Sequence, residues 1–478
     1  MKKIENATSV ASKLTELWCE IFSRPPPENT NKLWEEYNKI NSELQLLKLV
    51  RCDQFQRQSR LEQIPSFMNW CVEMGIRHSG LDILCSPHGL CLSATEPLEE
   101  GAIVAEVPLS AIFSTDVAEN IVSLKHILQD KLLQSMENVA LAICVAHEVL
   151  RGSESQWAAY FTTLPSTFPT PLFYSEEQLT ALKPSPVFEE SLRMHRAIAR
   201  QFVYFYLQIL GDNGNKSNKC PPSKMFAKSP FTTQNFTFDF YRWCVSIVST
   251  RINMVPSQHK KGEDGQPRMI PALLPFIDMA NHANSAANPG SVYFECETNS
   301  VKIQLNKPIV NGEELFIHYG PRTNAKFLLH NGFVPQQPNP DDLFELKIGL
   351  HRTSPNFDAK MQHLAAASIV PRNNQPSKNV VFSFQLQMEP SAESVKQSSL
   401  FVFAKVFVSD GDLISIDAIQ NTQKAIKFVY DRLNLLLRGY KATNQQDSDV
   451  FNGSDSQRLK DAEEAILKSH LKCLEEVI

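Results

Sequence analysis

The 478-residue sequence contains no Gly-x-Gly triplet, no Gly-Lys-Ser or Gly-Lys-Thr phosphate loop, no His-Glu-x-x-His and no Gly-x-Ser-x-Gly. Dinucleotide binding and P-loop phosphotransfer therefore lose the motifs that usually carry them. No window offers eighteen apolar residues in succession, and even the greasy stretch from Leu400 to Val408 is interrupted by Lys405, so a membrane-spanning helix is not expected. The amino terminus MKKIENATSVASKL turns polar straight after two lysines and lacks the apolar core of a signal peptide. No run of lysine and arginine is long enough to act as a nucleic-acid tail, and the formal charge of −5 is spread along the chain. Direct nucleic-acid binding is thus not expected either. The ten cysteines are scattered without a tight framework and read as buried thiols in a reducing compartment. Cys85 and Cys91 have no second pair nearby, so no metal is expected. The sequons at Asn6, Asn215, Asn235 and Asn452 are then accidental. The expectation is an intracellular protein, cytoplasmic with nuclear entry left open, and a monomer.

What is present describes a globular protein of more than one domain, with 42% hydrophobic and 21% charged residues. Leu14, Leu17, Trp18, Ile21 and Phe22 recur at helical spacing, Pro25 to Pro27 break the run, and a second helical run follows from Trp34. A third helix is expected from Ile64 to Gly75, with Pro65 in its first turn. Between Leu81 and Phe113 short runs rich in Val, Ile and Leu, punctuated by Gly89, Pro97 and Gly101, read as strands. Helical pattern returns at 136–150, 187–210 and 238–250, the last with apolar residues around most of its surface and hence well buried. The polar stretches 211–234 and 257–267 read as surface loops. After a strand at Leu343 the remainder reads as mostly helical. The domains expected are an N-terminal helical element over 1–75, a central domain over 76–335 interrupted by a helical insert at about 115–265, and a C-terminal helical domain over 336–478.

The densest information lies between Leu273 and Phe333. It opens with LLPFIDMANHANSAANPGS, an apolar run ending in Asn281-His282, and closes with NGEELFIHYGPRTNAKFLLHNGF. Within the second segment, Glu314 to Gly320 alternates as a strand does, and the short helix that follows is closed by a glycine cap at Gly332. An Asn-His turn alone is more simply structural, but both segments in this order and separation are far rarer by chance. Together they resemble the two catalytic segments of SET-domain protein methyltransferases. The likeness extends from about Trp34 to about residue 440, through QFVYFY at Gln201 and YRWCVSIVSTRINMVP at Tyr241. It is greatest to the branch that includes Rubisco large-subunit lysine methyltransferase, and within it to the actin-histidine N-methyltransferases.

The resemblance implies an α+β SET core with a helical insert, flanked by N-terminal helices and a C-terminal helical substrate-binding domain. It implies S-adenosyl-L-methionine as cofactor, a protein substrate, actin, and transfer of one methyl group to a histidine ring nitrogen at the tele position. Cofactor contacts carry over to Arg60, Arg251, Asp278, Met279, Asn281, His282, Asn331, Gly332 and Phe333. In the loop before the first strand pair only Gly89 and Leu90 match the family pattern, leaving Ser86 to His88 as backbone contacts, with His88 the candidate. Tyr319 matches the tyrosine that shapes the methyl-transfer channel, where its contribution is positioning. Arg322 resembles a substrate-contacting arginine, and Ile277 stands on the substrate side where vertebrate relatives of this kind have tryptophan.

The acceptor's chemistry narrows the choice. A lysine near pKa 10.4 must lose a proton at a cost of roughly 4.6 kcal/mol at pH 7, whereas a histidine near 6.5 is already mostly neutral. A histidine methyltransferase needs tautomer control more than a base. Asn253 matches the asparagine that holds the target imidazole in the actin-histidine enzymes, since an amide accepts a ring N–H without favouring a charged ring. Asn253 and Tyr319 are the candidate catalytic residues, and Asn253, Ile277 and Arg322 the candidate substrate contacts. Three readings stay open at this level: an actin-histidine methyltransferase, a lysine methyltransferase of the same fold, which Ile277 leaves room for, and a catalytically idle SET-like binding protein.

Overall fold

The computed structural model describes residues 7–47, 59–87, 89–212, 224–284, 289–372, 378–409, 419–444 and 454–476. The chain forms two compact units. The first comprises residues 1–173, 189–320 and 330–332, and the second 174–188, 321–329 and 333–478. The N-terminal helices thus belong to the first unit. The second begins at Pro321 rather than near 336 and recruits 174–188 from the insert.

Short strands build the first unit: β1 (Arg77–His78), β2 (Leu81–Ser86), β3 (Gly89–Ala94), β4 (Ile103–Pro108), β5 (Phe113–Ser114), β6 (Asn253–Lys261), β7 (Pro267–Leu273), β8 (Asn281–His282), β9 (Gly290–Glu295), β10 (Ser300–Leu305) and β11 (Glu314–Ile317). One sheet runs β1-β4-β10-β9-β11-β3-β2, with β8 attached to β11, and a separate three-stranded sheet runs β5-β7-β6. The β2–β3 hairpin keeps a continuous antiparallel register from Leu81 opposite Ala94 to Ser86 opposite Gly89. The stretch 257–267, expected as a loop, is largely the end of the β6–β7 hairpin, closed where the Gly262 N–H bonds Gln266 O and the Gly265 N–H bonds Gly262 O. Ser257 is buried but the polar residues after it are exposed, so they carry no hydrophobic alternation by which a strand is read.

The insert supplies the densest packing. In the helix Glu137–Arg151 every residue from Val139 to Glu148 is buried. The helix Phe238–Arg251 buries Phe238, Phe240, Tyr241, Trp243 and Cys244, as its all-round apolar pattern requires. Phe202, Phe205, Phe231, Phe236 and Tyr241 interlock edge-on and offset, the geometries that aromatic quadrupoles favour. Within the expected loop 211–234, residues 213–223 lie outside the described residues, and Phe226 and Phe231 are buried. The N-terminal helices Ala7–Leu17 and Thr30–Leu47 are tied to this core by Arg196, which bonds Glu36 at 2.7 Å and the Ile21 and Arg24 carbonyls.

The helix expected from Ile64 starts at Arg60, so Pro65 sits inside it. The bond lost at Pro65 is offset by the face that Ile64, Phe67, Trp70 and Cys71 bury, and the first turn closes through Glu62 N–H to Ser59 O. This earlier start places Arg60 at the head of the helix.

The second unit holds a structure that its sequence hid. β12 (Phe344–His351) pairs along its whole length with β13 (Asn379–Leu386), where only helices were expected after the first strand. β13 alternates cleanly, with Val380, Phe382, Phe384 and Leu386 buried, and the hairpin's apolar face packs under Leu400, Phe401, Phe403 and Ala404. Helices 419–444 and 455–475 complete this core. Among the described residues no helix is long and apolar enough to cross a membrane.

Candidate functional site

The Asn-His and Tyr-Gly segments meet as neighbouring strands. β8 lies parallel to β11, with Asn281 opposite Phe316 and His282 opposite Ile317, and the Ala283 N–H continues the ladder to Ile317 O. Two residues beyond β11 the chain turns back on the pair. The Tyr319 N–H donates to His282 Nδ1 at 3.2 Å, and the Tyr319 hydroxyl donates to Ala280 O at 2.8 Å. The first bond makes Nδ1 an acceptor and leaves the proton of a neutral His282 on Nε2. The rings of His282 and Tyr319 lie 5.2 Å apart. Asn281 donates its amide N–H to Glu314 Oε1 at 2.7 Å, so a carboxylate at the start of β11 fixes which way the amide faces. Glu314 was not anticipated. Its signal is its position at the start of the strand that leads to Tyr319.

Upstream of β8 the backbone makes a strained turn. Phe276 adopts φ 72° and ψ −57°, a γ-turn conformation that costs a bulky residue energy, and it is held there by complete burial and by stacking on His78 at 4.8 Å. The turn delivers Asp278 into the interior, where its N–H bonds Leu274 O. Arg251, the last residue of the helix Phe238–Arg251, reaches it from the side, with Nη1 3.3 Å from Asp278 Oδ1 and a further bond to the Asp278 carbonyl. Tyr160 donates its hydroxyl to Asp278 Oδ2. Tyr160 was also missed, because AAYFT offers no motif.

Burial pushes the Asp278 carboxyl above its ordinary value, opposed by Arg251, by the Tyr160 hydroxyl and by the Arg60 charge. Burial likewise raises Tyr160 far above a free phenol, and the Asp278 charge adds to it. Arg251 is pulled down by burial, but Asp278, Tyr160 and Tyr319 outweigh that and hold it above its ordinary value, so the guanidinium stays charged. Its Nε is buried without a hydrogen-bond partner among the described residues.

Most of the other candidates converge here. Arg60 donates Nε–H to Thr163 O at 2.6 Å and lies near Gly89, whose φ of 109° admits only glycine comfortably. Asn253 opens β6, half-buried, and donates Nδ2–H to Arg251 O at 3.2 Å, a bond that does not engage its side-chain carbonyl oxygen. Asn331 donates Nδ2–H to Thr250 O at 3.3 Å, one residue before Arg251. Gly332 has φ 84°, and a Cβ there would stand 2.8 Å from the Pro169 backbone, so no other residue fits.

Two candidates, Ile277 and Met279, do not join the polar cluster. Ile277 and Met279 are 0% and 2% exposed, packed in the hydrophobic core, so Ile277 offers no surface to an acceptor. The residue before Asp278 faces the core because the γ-turn rotates the aspartate to the arginine side. Arg322 and Phe333 belong to the second unit, where Arg322 O accepts from Asn339 Nδ2 and the Phe333 ring lies 5.2 Å from Phe327. His88 lies outside the described residues.

Comparison with known proteins agrees with this geometry. The SET domain family matches residues 89–320. An actin-histidine N-methyltransferase of Drosophila melanogaster is 29% identical over 95% of this chain and 85% of its own length. That of Mus musculus is 29% identical over 94% of this chain and 74% of its own. Among solved structures, Rubisco LSMT bound to AdoMet superposes with a TM-score of 0.65 at 16% identity, covering 87% of this chain and 92% of that one. The strands that bring His282 beside Tyr319 lie within the residues that match the SET domain family, on a fold similar to that of Rubisco LSMT.

Proposed function

We propose that the protein transfers a methyl group from S-adenosyl-L-methionine to a histidine ring nitrogen of actin, acting in the cytoplasm. The observation that carries this reading is the β8–β11 junction, where a fixed tyrosine hydroxyl bonds Ala280 O beside the Asn281-His282 backbone and an ion-paired arginine bonds the Asp278 carbonyl. The whole-length likeness to actin-histidine N-methyltransferases supports the choice of acceptor.

The residues present suit the cofactor's chemistry. Arg60 and Arg251 are cations for its carboxylate, Arg251 with a buried Nε still to be satisfied. Gly89 and Gly332 are backbone positions where a side chain is excluded or strained, and Asn281, His282 and Asn331 bring polar groups for its base. When bound, the cofactor supplies an electrophilic methyl on a sulfonium.

The protein's own contribution is orientation. Tyr319, pinned by its hydroxyl bond to Ala280 O and its N–H bond to His282, keeps its ring and the neighbouring carbonyls fixed, so reacting atoms meet in line without reorganisation. Asn253, with its N–H spent on Arg251 O, presents a carbonyl to one ring N–H of the acceptor. That bond selects the tautomer whose other nitrogen carries the lone pair. No residue has to remove a proton before transfer, and the product imidazolium sheds its proton afterwards to water.

The test is to incubate the full chain with isotopically labelled methyl donor, actin and a cell extract, and to locate the modified side chain by mass spectrometry. Label on an actin histidine supports the reading. Label on lysine replaces it with lysine transfer, and no label on any protein refutes methyl transfer.

A further inference from the structure

A second polar cluster lies in the helical insert, apart from every residue discussed above. Ser123, in the short helix Val122–Ile127, has Oγ 2.8 Å from Nε2 of His147. His147 Nδ1 is 2.9 Å from Oε1 of Glu148. Both His147 and Glu148 are buried, at 1% and 0% exposure. Glu148 also accepts from Ser155 Oγ at 2.8 Å and from Arg151 Nη1 at 3.1 Å. Burial alone would raise its pKa, but the bonds from His147, Ser155 and Arg151 outweigh that and hold the carboxyl below its ordinary value, hence ionised. An anion beside Nδ1 keeps the imidazole proton on that nitrogen and leaves Nε2 to take the Ser123 proton.

The cluster opens on a cavity of about 700 Å³ lined by Ser123, His147, Glu148 and Trp157, with Ile121 and Pro230 on its apolar wall. That volume lies within the usual range for small-molecule sites. Trp157 is 5% exposed, and its indole N–H has no hydrogen-bond partner among the described residues. Its backbone N–H bonds Ser155 Oγ, the hydroxyl that donates to Glu148, so the spare donor and the carboxylate are held by one side chain. A purely structural serine-histidine contact would need neither a cavity nor an unused donor beside it.

We propose that this cavity is a hydrolytic site for small carboxylic esters, with Ser123 as nucleophile, His147 as general base and Glu148 as the residue that orients it. Recognition rests on geometry and roles, since no Gly-x-Ser-x-Gly turn is present. Ser123 Oγ bonds to the acyl carbon as its proton passes to His147 Nε2, giving a tetrahedral oxyanion. Collapse breaks the bond to the alcohol, which leaves with the proton from His147. Water then attacks the acyl-serine, giving a proton to His147, and the carboxylic acid departs as Ser123 Oγ takes that proton from His147.

The full chain is tested with p-nitrophenyl butyrate and with a fluorophosphonate probe. The expected result is a probe adduct on Ser123 and ester hydrolysis that falls about 100-fold or more in Ser123→Ala, with its unfolding midpoint unchanged. His147→Gln is expected to lose the adduct. Should that variant not fold, the Ser123→Ala comparison decides alone, because Ser123 is partly exposed and carries no core packing. Wild-type protein that is folded yet unlabelled at Ser123, or hydrolysis equal in wild type and Ser123→Ala, overturns the proposal.

Discussion

Asp278 in the first unit and Asp342 in the second are both carboxylates taken out of water, and burial raises both, Asp342 to about 6. They differ in what answers them. Asp278 faces the Arg251 guanidinium at 3.3 Å and a donated phenol. Asp342 faces neutral amides only, accepting from the Asn324 N–H at 2.8 Å and from Asn324 Nδ2 at 2.7 Å. The first arrangement fixes a cation in the interior. The second satisfies an orphan donor at the start of the helix Asn324–Asn331. Burial, nearly complete at Asp278 and partial at Asp342, therefore signals a site only where it strands a charge that something else must use, and the strained Phe276 turn beside Asp278 points the same way.

The sharpest break of this comparison is Asp278→Asn, which leaves Arg251 buried and unpaired. The expected cost is about 3 to 5 kcal/mol in the first unit, by far the larger response of the two aspartates. All five tryptophans lie in that unit, so denaturant unfolding followed by tryptophan fluorescence reads it directly. A cost near 1 kcal/mol would mean that the pair is solvated and its likeness to a functional ion pair misplaced.

Tyr319→Phe separates positioning from stability. Removing one hydroxyl bond to Ala280 O is expected to change unfolding by about 1 kcal/mol, while methyl transfer to actin falls about 100-fold or more because the reacting atoms lose their fixed frame. Activity within a few-fold of wild type would remove Tyr319 from the mechanism. A smaller effect belongs to Asn253→Ala, expected to lower transfer to histidine about tenfold, the worth of roughly one hydrogen bond at the acceptor. Binding of the methyl donor, measured by calorimetry, should be unaltered. Equal losses in both would assign Asn253 to the cofactor side.

How far such residues can be read from sequence depends on whether their signal is local. Asn281, His282 and Tyr319 were legible only through the resemblance of their two segments to a known family, and Gly332 through the left-handed conformation of a helix cap. The β2–β3 and β4 strands and the buried helix Phe238–Arg251 were legible from their apolar patterning. Tyr160 and Glu314 were not. Each acts through one bond to a partner far along the chain, and neither alters any periodicity. β13 escaped for a different cause: VVFSFQL alternates, but it was read within a region whose other segments are helical, and strand pairing is a property of the partner as well. Ile277 shows the opposite failure. Its position beside the motif suggested a pocket wall, and only the γ-turn at Phe276 reveals that the side chain points inward.

Asp342 supplies the mildest test and the one with a sign that can be checked. Its folded value of about 6 lies above the ordinary 3.8 because burial penalises the charged form. A raised carboxyl contributes stability that is fully present below about 3.8 and is lost as pH rises through about 6. The second unit should therefore lose some protection between pH 4 and pH 7 on this account, read by hydrogen exchange in peptides from 321–372. Asp342→Asn should flatten that part of the profile. At pH 8 its net effect should be within about 1 kcal/mol, since an amide cannot accept both Asn324 bonds but no longer buries a charge. The same substitution that strands Arg251 in one unit merely retitrates the other, and a large loss at Asp342 would show that burial, not the cation, sets the difference.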